Sequence, residues 1–134
     1  MPDNPFNETT RNVKVSVKPT YLALESYPYR EHYTWAYSVT LENNGNETVQ
    51  LISRHWHITD GNGVLKEVLG PGVVGEQPIL TPGSSFSYTS GTLLPTATGI
   101  MFGTYEMITD EGEIFQIKIP AFSLDSPEQL AKPN

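Results

Sequence analysis

The stretch Val68-Leu69-Gly70-Pro71-Gly72-Val73-Val74-Gly75-Glu76-Gln77-Pro78 decides between two folds. Its glycines at 70, 72 and 75 spell G-x-G-x-x-G, the letter pattern of a dinucleotide-binding turn. Such a turn needs a strand before the glycines and a helix opening straight after them. The helix N-terminus supplies the free N–H groups and the dipole that hold a pyrophosphate. The apolar run 64–69 can serve as the strand, but the helix has no room. Pro78 follows three residues after Gly75, and Pro82-Gly83 closes the segment, with only Ile79, Leu80 and Thr81 between them. A ribose-binding carboxylate is expected about 20 residues on, where the chain reads Leu94-Pro95-Thr96-Ala97. The Gly-Lys-Ser/Thr ending of a P-loop is also missing. The stretch therefore reads as a rigid, glycine-punctuated loop joining two strands. Its backbone N–H groups can still meet an anion.

Outward from this loop the chain alternates with period two. In the run 33–43, Tyr33, Trp35, Tyr37, Val39 and Leu41 share one face and Thr34, Ala36, Ser38, Thr40 and Glu42 the other, a strand pattern and not a helical one. Asn43-Asn44-Gly45-Asn46 tolerates positive φ, so 49–59 is expected to return as its hairpin partner. In that partner Leu51, Ser53, His55 and His57 face one way, and Ile52, Arg54, Trp56 and Ile58 the other. Asp60-Gly61-Asn62-Gly63 and Asp110-Glu111-Gly112-Glu113 mark two more hairpin turns. Val13, Val15 and Val17 alternate in an early strand that Pro19 is expected to end, with 21–24 resuming as a short second strand. Phe86, Tyr88 and Ser90, then 100–109, then Phe115, Ile117 and Ile119 continue the pattern. Pro120 belongs at an edge or an end. Residues 1–10 read as a loose arm and 126–134 as a loose tail, where Ser126, Pro127 and Gln129 outline a frayed helical turn. About eight short strands at this spacing predict one all-β domain over 1–134, an immunoglobulin-like or fibronectin type III-like β-sandwich.

Composition narrows the function. The 134 residues suffice for one domain with a real core. Gly and Pro number 11 each, as frequent turns require. The formal charge of −7, with the eight basic residues dispersed, disfavours nucleic acid as a partner. No cysteine is present, which removes disulfides, zinc-thiolate sites and thiol catalysis. The first residues form no secretory leader and no apolar run spans a membrane, so the expected location is the cytoplasm.

The chemistry-bearing residues are few. His55 and His57, at i and i+2 on one strand face, can bring two imidazoles to one metal, but the sequence names no third ligand, and the pair reads as packing or surface. Asp60-Gly61-Asn62-Gly63 starts like a calcium loop, then has Val64 at the fifth position and Pro71 at the twelfth, so it is a turn. The acidic turn Asp110, Glu111 and Glu113 offers at most a weak divalent-cation contact. No G-x-S-x-G elbow is present. Tyr27, Tyr29 and Tyr33 are either core edge or a recognition surface. No catalytic residue, cofactor or resident metal is expected.

Taken together, Arg54-His55-Trp56, the Asp60 turn, residues 70–78, Tyr88-Thr89-Ser90-Gly91, residues 99–105 and Ile119-Pro120-Ala121-Phe122 resemble the ApaG family over nearly the whole chain. The resemblance implies a fibronectin type III-like β-sandwich. It implies a historical association with cobalt and magnesium tolerance or efflux. It also implies use as an accessory, protein-binding domain in some F-box proteins and in a polymerase-delta-interacting protein. It carries over no catalytic residues. The expected function is a non-enzymatic module that binds a protein partner. A role in divalent-cation homeostasis is the alternative, and binding or hydrolysis of pyrophosphate-containing nucleotides a weaker one. The expected binding loop is Gly70, Pro71, Gly72, Val73, Val74, Gly75, Glu76 and Gln77. Loops held on rigid strands commonly carry binding, and Pro71 and Pro78 lower the entropy lost on fixing this one. One of the two valines is expected to be exposed.

Overall fold

The computed structural model describes residues 6–127. Nine strands form two antiparallel sheets: β1 Phe6–Thr10, β2 Val13–Tyr21, β3 Tyr33–Asn43, β4 Val49–Asp60, β5 Leu65–Pro71, β6 Ile79–Leu80, β7 Ser85–Leu94, β8 Thr98–Thr109 and β9 Ile114–Asp125. One sheet runs β1-β2-β3-β7. The other runs β5-β4-β8-β9, with β6 also on β4. The sheets pack face to face as a β-sandwich.

The alternation of β3 does what its pattern dictates: Trp35, Tyr37, Val39 and Leu41 are buried between the sheets. Val13, Val15 and Val17 of β2 lie beside them, paired with Asn43, Leu41 and Val39. The opposite sheet contributes Leu51, Trp56, Met101, Tyr105, Met107, Ile117, Phe122 and Leu124. Trp56 joins the layers, its ring 5.2 Å from Tyr37 of the first sheet and 5.9 Å from Phe122 of its own. Burying an aromatic of this size contributes about 2–3 kcal/mol.

Four local expectations are revised. Strands β3 and β4 are not a hairpin. They lie in different sheets, and the connection between them crosses the sandwich end. Asn43 fixes that crossing. Its buried amide donates to the carbonyls of Glu47 (2.8 Å) and Leu80 (2.9 Å) and accepts from the N–H of Gly45 (3.0 Å). Strand β2 runs through Pro19 to Tyr21, and β1 pairs with it only as far as Val17. Pro19 thus lies past the β1 ladder, where a missing N–H costs least. Residues 21–24 make no separate strand, and Ala23–Glu25 is a single 3-10 turn. Phe6–Thr10, read as part of a loose arm, form β1. The β1–β2 turn is built by Arg11 and Asn12, both at positive φ (49° and 65°). The tail expected over 126–134 lies mostly outside the described residues.

A bulge in β4 has the largest consequence. Leu51 pairs with Met107 and Ser53 with Glu106, so Ile52 is the extra residue. A bulge shifts side-chain parity by one. Leu51 therefore points into the core, while Ser53, His55 and His57 point outward, not along one shared face with it. Pro120 sits in a second bulge, on edge strand β9, where Met101 pairs with Phe122 and Gly103 with Ile119.

Candidate functional site

The glycine loop joins β5 to β6 along the edge of β4 that both strands pair with. β5 pairs with one half of β4 and β6 with the other. The loop leaves the sheet where β4 bulges. The carbonyl of Ile52, the bulged residue, accepts from the Gly72 N–H (2.8 Å) and from the Gln77 side chain (2.9 Å). The N–H of Leu51 then donates to Pro78 (3.0 Å) and the Gln50 amide to the Gln77 carbonyl (3.0 Å). No helix follows Gly75. The chain passes through Glu76 and Pro78 into the two-residue strand β6, so the loop lacks the helix N-terminus of a pyrophosphate cradle.

The loop tip is a two-residue turn. Val73 and Glu76 exchange both backbone hydrogen bonds at 2.8 Å, with Val74 at φ 43° and Gly75 at φ 82° between them. Positive φ at both central positions is the type I′ geometry. At Gly72, φ is 61°, and an added Cβ would lie 2.3 Å from the Glu76 carbonyl oxygen. A side chain there would force the turn open. At Gly70 the constraint is room, because an added Cβ would sit 3.2 Å from the Arg54 guanidinium. The glycine spacing is thus explained by closure of this turn over Arg54.

The two valines separate. Val73 is 1% exposed and belongs to the core, whereas Val74 is 53% exposed. A β-branched residue at positive φ is an outlier, held here by the closed turn around it.

Arg54 clamps the loop from beneath, its Nη1 donating to the carbonyls of Pro71 (3.0 Å) and Gly72 (2.8 Å). Among the described residues no carboxylate lies in ion-pair range of it. The side of the sandwich between edge strands β5 and β7 stays open. A cleft of about 400 Å³ there is lined by Tyr37, Arg54, Trp56, Val74, Tyr88 and Ser90 among others. A second, of about 450 Å³, lies across the loop base beside His55, Leu69 and Gly70. Arg54 lines both. Beneath the first cleft the hydroxyls of Tyr88 and Tyr105 hydrogen-bond across the two sheets. Burial pushes the pKa of both phenols up.

The other candidates lie elsewhere. His55 and His57 are neighbours on the outer face of the second sheet, their rings 4.4 Å apart. Sequence reading missed their companion, Glu67. It lies directly across from His57 on β5 and 2.7 Å from His55 Nε2. The Asp60 turn is a plain hairpin turn, with Asp60 Oδ1 accepting from the N–H groups of Asn62 and Val64. In the acidic turn, Glu113 is committed to Arg11 by two bonds of 2.6 and 2.8 Å. This pairing holds its carboxyl below the usual glutamate range. The tyrosines differ in burial. Tyr33 stacks on Trp35 at the core edge, and Tyr29 is exposed.

The architecture defines a class: a two-sheet β-sandwich that holds a closed glycine turn between clefts on its open side. Comparison with known proteins narrows it. Residues 23–109 match the ApaG domain model. The chain is 56% identical to protein ApaG of Rhodospirillum centenum over 129 residues, covering 96% of this chain and 99% of that one. It is 53% identical to protein ApaG of Brucella suis biovar 1 over 124 residues, covering 92% and 95%. A crystal structure from Bordetella pertussis, of a protein provisionally called ApaA, superposes with a TM-score of 0.85. That protein is 44% identical, and the match covers 94% of this chain and 98% of that one. The chain belongs to the ApaG family. Among the described residues no helix is long and apolar enough to cross a membrane.

Proposed function

We propose that this chain is a non-enzymatic binding module that engages a protein partner through residues 70–77. The observation that carries the reading is Val74. A β-branched residue stands half exposed, at positive φ, at the tip of a turn built to hold it there. Residues kept in such backbone regions cost of order 1–3 kcal/mol and gather at ligand clamps and switch regions. Relief is one substitution away, since Asn or Gly accepts this conformation. The side chain Val74 presents is an apolar contact beside Glu76 and Gln77. The adjoining cleft adds Arg54, a residue type over-represented where proteins bind proteins, above a floor formed by the buried Tyr37 and Tyr88. That cleft has no carboxylate in its lining, which suits a partner segment with an acidic side chain.

A non-enzymatic role is supported by what the histidines do. Among the described residues their rings contact Glu67, Phe102 and Tyr27, and no hydrogen bond joins them to a serine or threonine hydroxyl. We place the module in the cytoplasm, where a chain without cysteine loses nothing by forming no disulfides.

The test compares immobilised wild-type protein with a Val74→Asn variant in capture from lysate of the source cells, read by quantitative mass spectrometry. A partner enriched on the wild type and depleted at least tenfold on the folded variant supports the binding loop. Equal capture by both places the partner surface elsewhere.

A further inference from the structure

We propose a divalent transition-metal site, of the kind that takes Zn²⁺, formed by His55, His57 and Glu67 on the outer face of the second sheet. The site is separate from the binding loop and does not rest on it. His55 and His57 come from β4. The bulge at Ile52 turns both outward and removes Leu51 from their face. Glu67 comes from β5, in register opposite His57. One ligand atom from each residue can be chosen so that all three lie within 4.8 Å of one another. Glu67 Oε1 is 2.7 Å from His55 Nε2 and 3.9 Å from His57 Nδ1. Ligand atoms bonded to a tetrahedral zinc at 2.0–2.1 Å stand roughly 3.3 Å apart. The present spacings bracket that value, so modest side-chain rotation fits an ion.

Other features favour a metal over a simple hydrogen bond. A His–Glu pair alone needs only His55. His57 is also brought in, its ring stacked at 4.8 Å and 6° on Phe102, its cross-strand neighbour on β8. That stacking limits ring rotation before any ion binds, which lowers the entropy lost on ligation. All three side chains are partly exposed, so an ion can enter and water can complete its coordination. Two imidazoles and one carboxylate form a donor set that suits zinc, nickel, copper or cobalt. Magnesium prefers oxygen throughout and octahedral geometry. The site is peripheral to the core, so the fold forms without the ion.

Tag-free, chelator-stripped protein titrated with zinc chloride in a calorimeter tests the site, with magnesium chloride as the counter-probe. One zinc per chain is expected and no magnesium heat. His55→Ala, His57→Ala and Glu67→Gln should each weaken zinc binding at least about tenfold, since loss of an outer-shell partner alone costs that much. His32→Ala, which removes the one other histidine of the chain, should leave it within about twofold. Circular dichroism confirms that every variant is folded. The proposal is overturned if zinc binds no tighter than a Kd of roughly 0.1 mM. It is equally overturned if any of the three ligand variants binds like wild type, or if His32→Ala removes binding.

Discussion

Replacing Val74 by Asn should make the protein more stable while removing a contact. In the left-handed region an ordinary L-residue costs roughly 1–2 kcal/mol, and Asn is among the few that visit it routinely. Val74 sits there at φ 43°, so the substitution relieves most of that cost. Against it stands lost burial. Fully burying a valine contributes about 1.5 kcal/mol, and at 53% exposure only about half of that is at stake. The difference is a net gain of roughly 0.5–1 kcal/mol. For a chain of this length that is a rise in Tm of about 2–4 °C. Thermal melts followed by circular dichroism measure it. Urea unfolding with an unchanged m-value confirms that the native state, and not the denatured ensemble, was altered. Val74→Ile, which keeps both the strain and the apolar surface, should melt close to wild type. A fall in Tm for Val74→Asn would refute the reasoning, because the side chain would then be packing and not strained display. A stabilised variant that no longer captures the partner is the signature expected where stability has been given up for binding.

Gly72→Ala should lower the Tm by at least 5 °C, because its Cβ would stand 2.3 Å from the Glu76 carbonyl and the strain and lost hydrogen bonds together cost about 2 kcal/mol or more. In an alkaline absorbance titration, the buried Tyr88 and Tyr105 should ionise only as the protein unfolds. Their folded pKa values are raised, so the stability they contribute is complete below the unfolded value of 10 and is lost as pH rises past it. Two normally titrating phenols, assigned by Tyr88→Phe and Tyr105→Phe, would contradict this. The Glu113 carboxyl should titrate, by carbon NMR, below its ordinary value of 4.5 and return toward it in Arg11→Ala. Its folded pKa is lowered, so its contribution is present above that ordinary value and is lost as pH falls through the folded one. High salt should weaken this exposed pairing.

Much of this protein was legible in its sequence because strand periodicity and turn chemistry are local. Period two in residues 33–43 put Trp35, Tyr37, Val39 and Leu41 in the core. Asp60 to Gly63 and Asp110 to Glu113 made the hairpins their residues imply. Pro78 and Pro82 correctly removed the helix that a dinucleotide site needs. Which strands pair is a property of the whole chain. Asn43-Asn44-Gly45-Asn46 has turn residues, yet the buried Asn43 amide bonds to Leu80, far along the chain, and sends β4 to the other sheet. The turn at Arg11 and Asn12 lacks the usual Asn-Gly letters. Its strain is offset by contacts with Glu47, Glu113 and Phe115, none of them close in sequence. The bulge at Ile52 decides which way the histidines point, and a one-residue shift in parity has no local signature. Glu67 was within reach, since the turn at 60–63 sets the register that places it opposite His57. The sequence thus determined most of the strands, the two hairpin turns at 60–63 and 110–113, and the strand rather than helix that follows the glycine loop. Only tertiary structure decided the sheet partners, the side chains that meet across them and which valine of the loop faces solvent, because those depend on contacts between residues distant along the chain.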